Sequence, residues 1–154
     1  MSTNELDFRA AIREAIVEEM ERDESVVFFG EDIAAEQGGV FAVTPGIQER
    51  FGAERVFDTP ISELAITGAA FGAAVTGLRP IIEIMFGDFM GLSMDSLVNQ
   101  AAKSMRLAAT SAIPFTLRTR DHASVEDERR PGDKCGRGGR PVPRERLAVA
   151  HVLG

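Results

Sequence analysis

Val26-Val27-Phe28-Phe29-Gly30-Glu31-Asp32 is the stretch on which the fold turns. Four apolar, mostly β-prone residues in unbroken succession, closed by glycine and followed at once by two acids, describe a strand covered on both faces. Such strands belong to parallel sheets, and the acids then stand at the strand's carboxyl end. Upstream, Phe8, Ile12, Ala15, Ile16 and Met20 fall on one stripe, with Arg9, Arg13, Glu14, Glu18 and Glu21 opposite, which predicts an amphipathic helix over 5–21. Downstream, Gly38-Gly39 marks a loop. Pro45 to Gly52 predicts a short helix with Thr44 as cap and Gly52 as stop, and Arg55-Val56-Phe57 a second strand. A helix over 62–77, capped by Ser62, carries Ala65, Gly68, Ala69, Gly72, Ala73 and Gly77. Its small residues recur at the three- and four-residue spacing that permits close approach of another backbone. Ile81 to Met85 predicts a buried strand, 93–109 a helix and Phe115-Thr116-Leu117 a further strand. This alternation predicts an α/β fold, a doubly wound parallel sheet that binds ligands near the carboxyl ends of its strands.

The chain has 154 residues, 44% of them hydrophobic and 27% charged, enough for one ordinary domain. The absence of a long apolar run and of a basic, apolar start leads to the expectation of a cytoplasmic protein with no membrane partner. A net charge of −7 argues against a nucleic-acid footprint spread over the surface, and the single Cys135 against a disulfide scaffold. With only His122 and His151 beside that cysteine, no metal site is expected. Residues 1–120 hold 10 basic and 18 acidic side chains and all ten phenylalanines, whereas 121–154 hold 7 basic and 6 acidic and neither periodicity nor aromatics.

Three acidic segments fall at predicted strand ends or loops: Gly30-Glu31-Asp32, Asp58 to Glu63, and Met85 to Phe89. A carboxyl half covered by apolar groups at such an edge can hold its proton to higher pH and exchange it near neutrality. A helix cap or a solvated loop charge is the plainer reading for any one of them.

The segments Arg55-Val-Phe-Asp-Thr-Pro-Ile-Ser-Glu63, Gly77-Leu-Arg-Pro-Ile-Ile-Glu-Ile-Met-Phe-Gly-Asp-Phe89 and Val98-Asn-Gln-Ala-Ala-Lys103 together make a more specific pattern than any lone motif. In order and spacing they resemble signature blocks of the beta subunit of the thiamine-diphosphate-dependent 2-oxo acid dehydrogenases and acetoin dehydrogenases. The resemblance covers about residues 5–120 and implies a transketolase-like pyrimidine-binding domain. It implies that Glu63 hydrogen-bonds a pyrimidine nitrogen of thiamine diphosphate. A carboxyl there favours the tautomer whose nitrogen deprotonates the thiazolium carbon. Met85 and Phe89 match residues that line the pyrimidine pocket, where core packing is the competing reading, and Glu31 matches an acid near the cofactor in a polar path joining paired sites. The resemblance further implies a cofactor shared with an alpha subunit in an α2β2 assembly, magnesium held by that partner, and a lipoyl-bearing acyltransferase as acceptor of the acyl group. Asp58 is read as a structural acid that shapes the turn before Pro60.

After Arg118-Thr119-Arg120 the resemblance stops: the glycine-rich loop, the Pro-x-His-Ser block and the second domain of the family do not follow. The expectation is therefore an incomplete pyrimidine-binding domain over 1–120 and an irregular tail over 121–154 that does not fold alone, produced by a shifted reading frame near residue 120. The edge beside Phe115 to Leu117 would then lie open. Two other readings remain at this point: an inactive fragment acting only in subunit association, and a transketolase-like ketol transferase domain.

Overall fold

A computed structural model describes residues 8–104, 114–120 and 147–152. The elements are α1 (Phe8–Arg22), β1 (Val26–Gly30), α2 (Ile47–Phe51), β2 (Val56–Asp58), α3 (Glu63–Val75) and β3 (Arg79–Phe86). There follow a 3-10 segment (Gly87–Ser93), a π-helical segment (Asp95–Ala101), β4 (Phe115–Arg120) and β5 (Leu147–Val152). The sheet order is β2-β1-β3-β4-β5; the first four strands are parallel, as the sequence predicts, and β5 joins β4 antiparallel.

The unbroken apolarity of β1 is explained by two cores on opposite faces of the sheet. Val26 and Phe28 pack with Ile16 and Met20 of α1, Ile47 of α2 and Val56, whereas Phe29 packs on the other face with Ile66, Ala70 and Ala74 of α3 and Ile82 and Ile84 of β3. Successive side chains thus alternate between two helical layers, the arrangement that makes a parallel sheet doubly wound. Phe29 also stacks on Phe57 of the neighbouring strand, ring centroids 5.2 Å apart and nearly coplanar in tilt. Arg55 fixes the turn between α1 and β1 by donating to the carbonyls of Met20, Asp23 and Val26.

Local details depart from the sequence reading. The buried stripe of α1 runs through Ile12, Ile16, Val17 and Met20, while Ala15 is exposed. Gly46, at φ 75°, and not Thr44 precedes α2, because Thr44 is buried and spends its hydroxyl on the Ile33 carbonyl. Gly52 ends α2 at φ 83°, as expected. Ser62 sits at the N-cap of α3 without a side-chain capping bond, its hydroxyl turned to the Pro60 carbonyl. Within the helix expected over 93–109, residues 95–101 are π-helical; Ser96 and Ala101 are both buried, a spacing of five that fits i→i+5 winding. Residues 105–109 lie outside the described residues. The sequence reading assigned no element to 121–154, yet Leu147–Val152 forms β5 on the outer edge of β4. Six mostly apolar residues need no core of their own when an existing sheet edge supplies their hydrogen bonds.

Candidate functional site

The carboxyl ends of β1, β2 and β3 and the start of α3 bring the predicted acids to one edge of the sheet. Gly30 is the first requirement. A Cβ there would lie 2.4 Å from the carbonyl oxygen of Glu83, so β1 and β3 approach closely only because the side chain is absent. Gly30→Ala is expected to splay these two strands and cost at least about 1–3 kcal/mol of stability, checked by denaturant unfolding.

Glu31, next along, is 3% exposed. Its Oε2 accepts the Met85 backbone N–H at 3.1 Å, while Oε1 has no hydrogen-bond partner among the described residues. Burial holds the Glu31 carboxyl above its ordinary pKa; the Met85 N–H opposes this and the nearby Glu63 carboxyl adds to it. A carboxyl with a raised folded pKa contributes stability below its ordinary value of 4.5, and that contribution is lost as pH rises through the folded value. Glu31→Gln is therefore expected to melt at higher temperature than the parent at neutral pH, with the gap closing below pH 4.5. Thermal melts across that range decide it.

Glu63 opens α3 and is buried at 7% exposure. Across the same edge, Met85 is half-buried at the end of β3, and Phe89, in the 3-10 segment, is 45% exposed. The Phe89 ring meets Phe86 edge-on at 6.0 Å, and Phe86 meets Phe41 edge-on at 5.5 Å, so a short aromatic run backs an accessible ring. Phe86 is half-buried between Phe41 and Phe89, and Phe89 stays accessible. The four residues singled out in the sequence, Glu31, Glu63, Met85 and Phe89, thus border one strand-end region, joined directly by the Glu31–Met85 bond and by the electrostatic influence of Glu63 on Glu31.

Asp58 is a structural acid, as expected, but the backbone it holds is that of Ala34 and not the turn before Pro60. Its Oδ1 accepts the N–H of Ala34 at 2.8 Å, tying the loop after Glu31 to the end of β2, while Thr59 binds the Gly30 carbonyl through both its N–H and its hydroxyl.

Two charged residues escaped the sequence reading. Glu83 of β3 and Arg118 of β4 are register partners, each 4% exposed, and form a buried ion pair beneath the Gly38-Gly39 loop. Burial raises the Glu83 carboxyl pKa, Arg118 counters, and Glu31 and Asp32 add a further upward push. A lone acid in the apolar run of β3, and an arginine directly after Phe115-Thr116-Leu117 in β4, were the available signal. No helix among the described residues is long and apolar enough to cross a membrane.

Two buried carboxyls, one with an unpartnered oxygen, beside an accessible aromatic ring suit a flat heterocycle carrying ring nitrogens: one face stacks while an edge hydrogen-bonds. Residues 4–129 match the family described as the transketolase, pyrimidine binding domain. The pyruvate dehydrogenase E1 component subunit beta of Staphylococcus epidermidis is 47% identical over 110 residues, covering 71% of this chain and 34% of that protein. The acetoin:2,6-dichlorophenolindophenol oxidoreductase subunit beta of Bacillus subtilis is 46% identical over 121 residues, 71% of this chain and 35% of that protein. The 2-oxoisovalerate dehydrogenase subunit beta of Pseudomonas aeruginosa is 45% identical over 109 residues, 70% of this chain and 31% of that protein. The chain spans about a third of the length of these curated relatives.

Proposed function

The chain belongs to the transketolase pyrimidine-binding domain family, and from that premise we propose that it contributes the pyrimidine half of a thiamine diphosphate site. In this reading it is a beta subunit of a 2-oxo acid dehydrogenase, for pyruvate or a branched-chain acid, or of an acetoin dehydrogenase. The observation that carries the reading is the buried Glu63 at the first turn of α3, on the sheet edge that also holds Glu31 and the accessible ring of Phe89. The names of the relatives, which cover pyruvate, acetoin and 2-oxoisovalerate, support the substrate range.

The residues fit the group. Phe89 offers a stacking face, Met85 a polarizable neighbour, and Glu63 a carboxyl to hold a proton against a ring nitrogen. Glu31, shielded from water and with its carboxyl pKa raised by that burial, can pass a proton along the strand edge. When bound, thiamine diphosphate supplies a carbon nucleophile for the substrate carbonyl. The diphosphate and its magnesium are assigned to an alpha subunit in an α2β2 assembly, and the acyl product to a lipoyl-bearing acyltransferase. The exposed Ala65, Ala69 and Gly72 of α3 suit close packing against such a neighbour.

The test is to co-purify the chain with an alpha subunit and assay pyruvate, branched-chain 2-oxo acids and acetoin with thiamine diphosphate, magnesium and an artificial electron acceptor. Turnover of at least one substrate is expected. A soluble complex inactive on all of them overturns the reading in favour of subunit association alone.

A further inference from the structure

Glu63 stands at a helix start that its own N-cap does not secure. Ser62 makes no side-chain capping bond, and the residues before it include Pro60 and an Ile61 that is 77% exposed. Three buried hydroxyls gather on the carbonyls of this turn, one from Thr67 within α3 and two from Ser93 and Ser96. The Glu63 carbonyl oxygen lies 2.8 Å from Thr67 Oγ1 and 3.1 Å from Ser93 Oγ, and the two hydroxyls are 2.8 Å from each other. Ser96 Oγ donates to the next carbonyl, that of Leu64, at 3.4 Å. Thr67, Ser93 and Ser96 are each no more than 1% exposed.

A backbone carbonyl in the first turn of a helix already accepts the N–H four residues on, so these hydroxyls are additional and the helix does not need them to form. What they do is join two pieces of chain. One is the turn that carries Glu63. The other is the 3-10 and π stretch that carries Phe89 at one end and Ser93 and Ser96 further along. We infer that the Thr67–Ser93–Ser96 hydroxyls are a positioning clamp that fixes the Glu63 carboxyl relative to the Phe89 ring, so that one flat ring meets both. The inference rests on Glu63 and Phe89 forming the pyrimidine site. Buried hydroxyls with all partners in place define one geometry sharply, and misplacing a binding carboxyl by a fraction of an ångström weakens its directional bond while leaving stacking intact.

The clamp is tested by titrating thiamine diphosphate with magnesium into the chain co-purified with an alpha subunit and following binding by calorimetry, in the parent, Ser93→Ala, Glu63→Gln and the double variant. Ser93→Ala is expected to weaken binding about three- to tenfold, and to lose that effect when Glu63 is already glutamine, because the clamp acts through the carboxyl. Thr67→Val, close in volume but without the hydroxyl, should behave as Ser93→Ala does, and Thr67→Ser should restore parental binding. If Ser93→Ala fails to fold, the Thr67 pair carries the same cycle. An equal loss from Ser93→Ala in both Glu63 backgrounds, or no loss, overturns the clamp while leaving the site standing. Binding unaltered by Glu63→Gln, or absent in the parent complex with its alpha subunit, overturns the reading of the site and the clamp with it.

Discussion

Replacing Glu63 with alanine is expected to lower turnover of the assembled enzyme about 10²- to 10⁴-fold, the usual contribution of a positioned acid or base. The corresponding rise in barrier is roughly 3–5 kcal/mol. The loss is expected in kcat rather than in stability. Glu63 is buried near Glu31 and pushes that carboxyl's pKa up, so removing it relieves a repulsion even as it opens some space. Glu63→Gln keeps the shape and still presents hydrogen-bonding groups, but it cannot exchange a proton with the ring. It should therefore retain more cofactor affinity than alanine and recover little of the rate. Steady-state kinetics of both variants, with melting temperatures alongside, separate the cases. Parental kcat in Glu63→Ala would remove the residue from the chemistry.

Arg118→Met is expected to be the most damaging single change to the fold. Arg118 and Glu83 sit opposite each other on adjacent central strands, each 4% exposed. Breaking a buried pair by removing one member typically costs about 3–5 kcal/mol, because the remaining charge is left without compensation. Here the stranded group is Glu83, which must take up a proton to stay inside. Its folded pKa is already raised by burial, and loss of Arg118 raises it further. The native state then keeps a proton that the unfolded chain releases near 4.5, so stability is greatest below that pH and falls as pH rises through the folded value. Denaturant midpoints at mildly acidic and mildly alkaline pH should diverge much more in the variant than in the parent. Removing both members, as Glu83→Leu with Arg118→Met, should restore most of the stability and flatten this pH dependence. A single variant as stable as the parent would show that the pair is not closed in solution.

The pair also bears on the site. Glu83 lies within electrostatic reach of Glu31, and its carbonyl accepts the Glu31 N–H at 3.4 Å. Arg118 therefore offsets one of the negative charges that this edge would otherwise gather.

Much of this molecule was legible in its residues. The unbroken run Val26 to Phe29 specified a strand buried on both faces, and the stripe through Ile12, Ile16 and Met20 specified a helix to cover one of them. Those signals are local: a period of two or of 3.6 is written into consecutive side chains and survives without knowledge of the partner. The same holds for Glu63, whose block of neighbours carried its resemblance. What the sequence left undecided depends on register and on contacts between distant segments. Glu83 and Arg118 become a pair only when β3 and β4 align, and Ser93 and Thr67 only when the end of the 3-10 segment crosses the start of α3. Leu147–Val152 becomes a strand because β4 presents an edge. The sequence by itself determined the order and type of the main elements and the acid at the centre of the proposed chemistry. Tertiary structure decided which charges neutralise one another and what holds that acid in place, because both are set by packing between residues far apart in the chain.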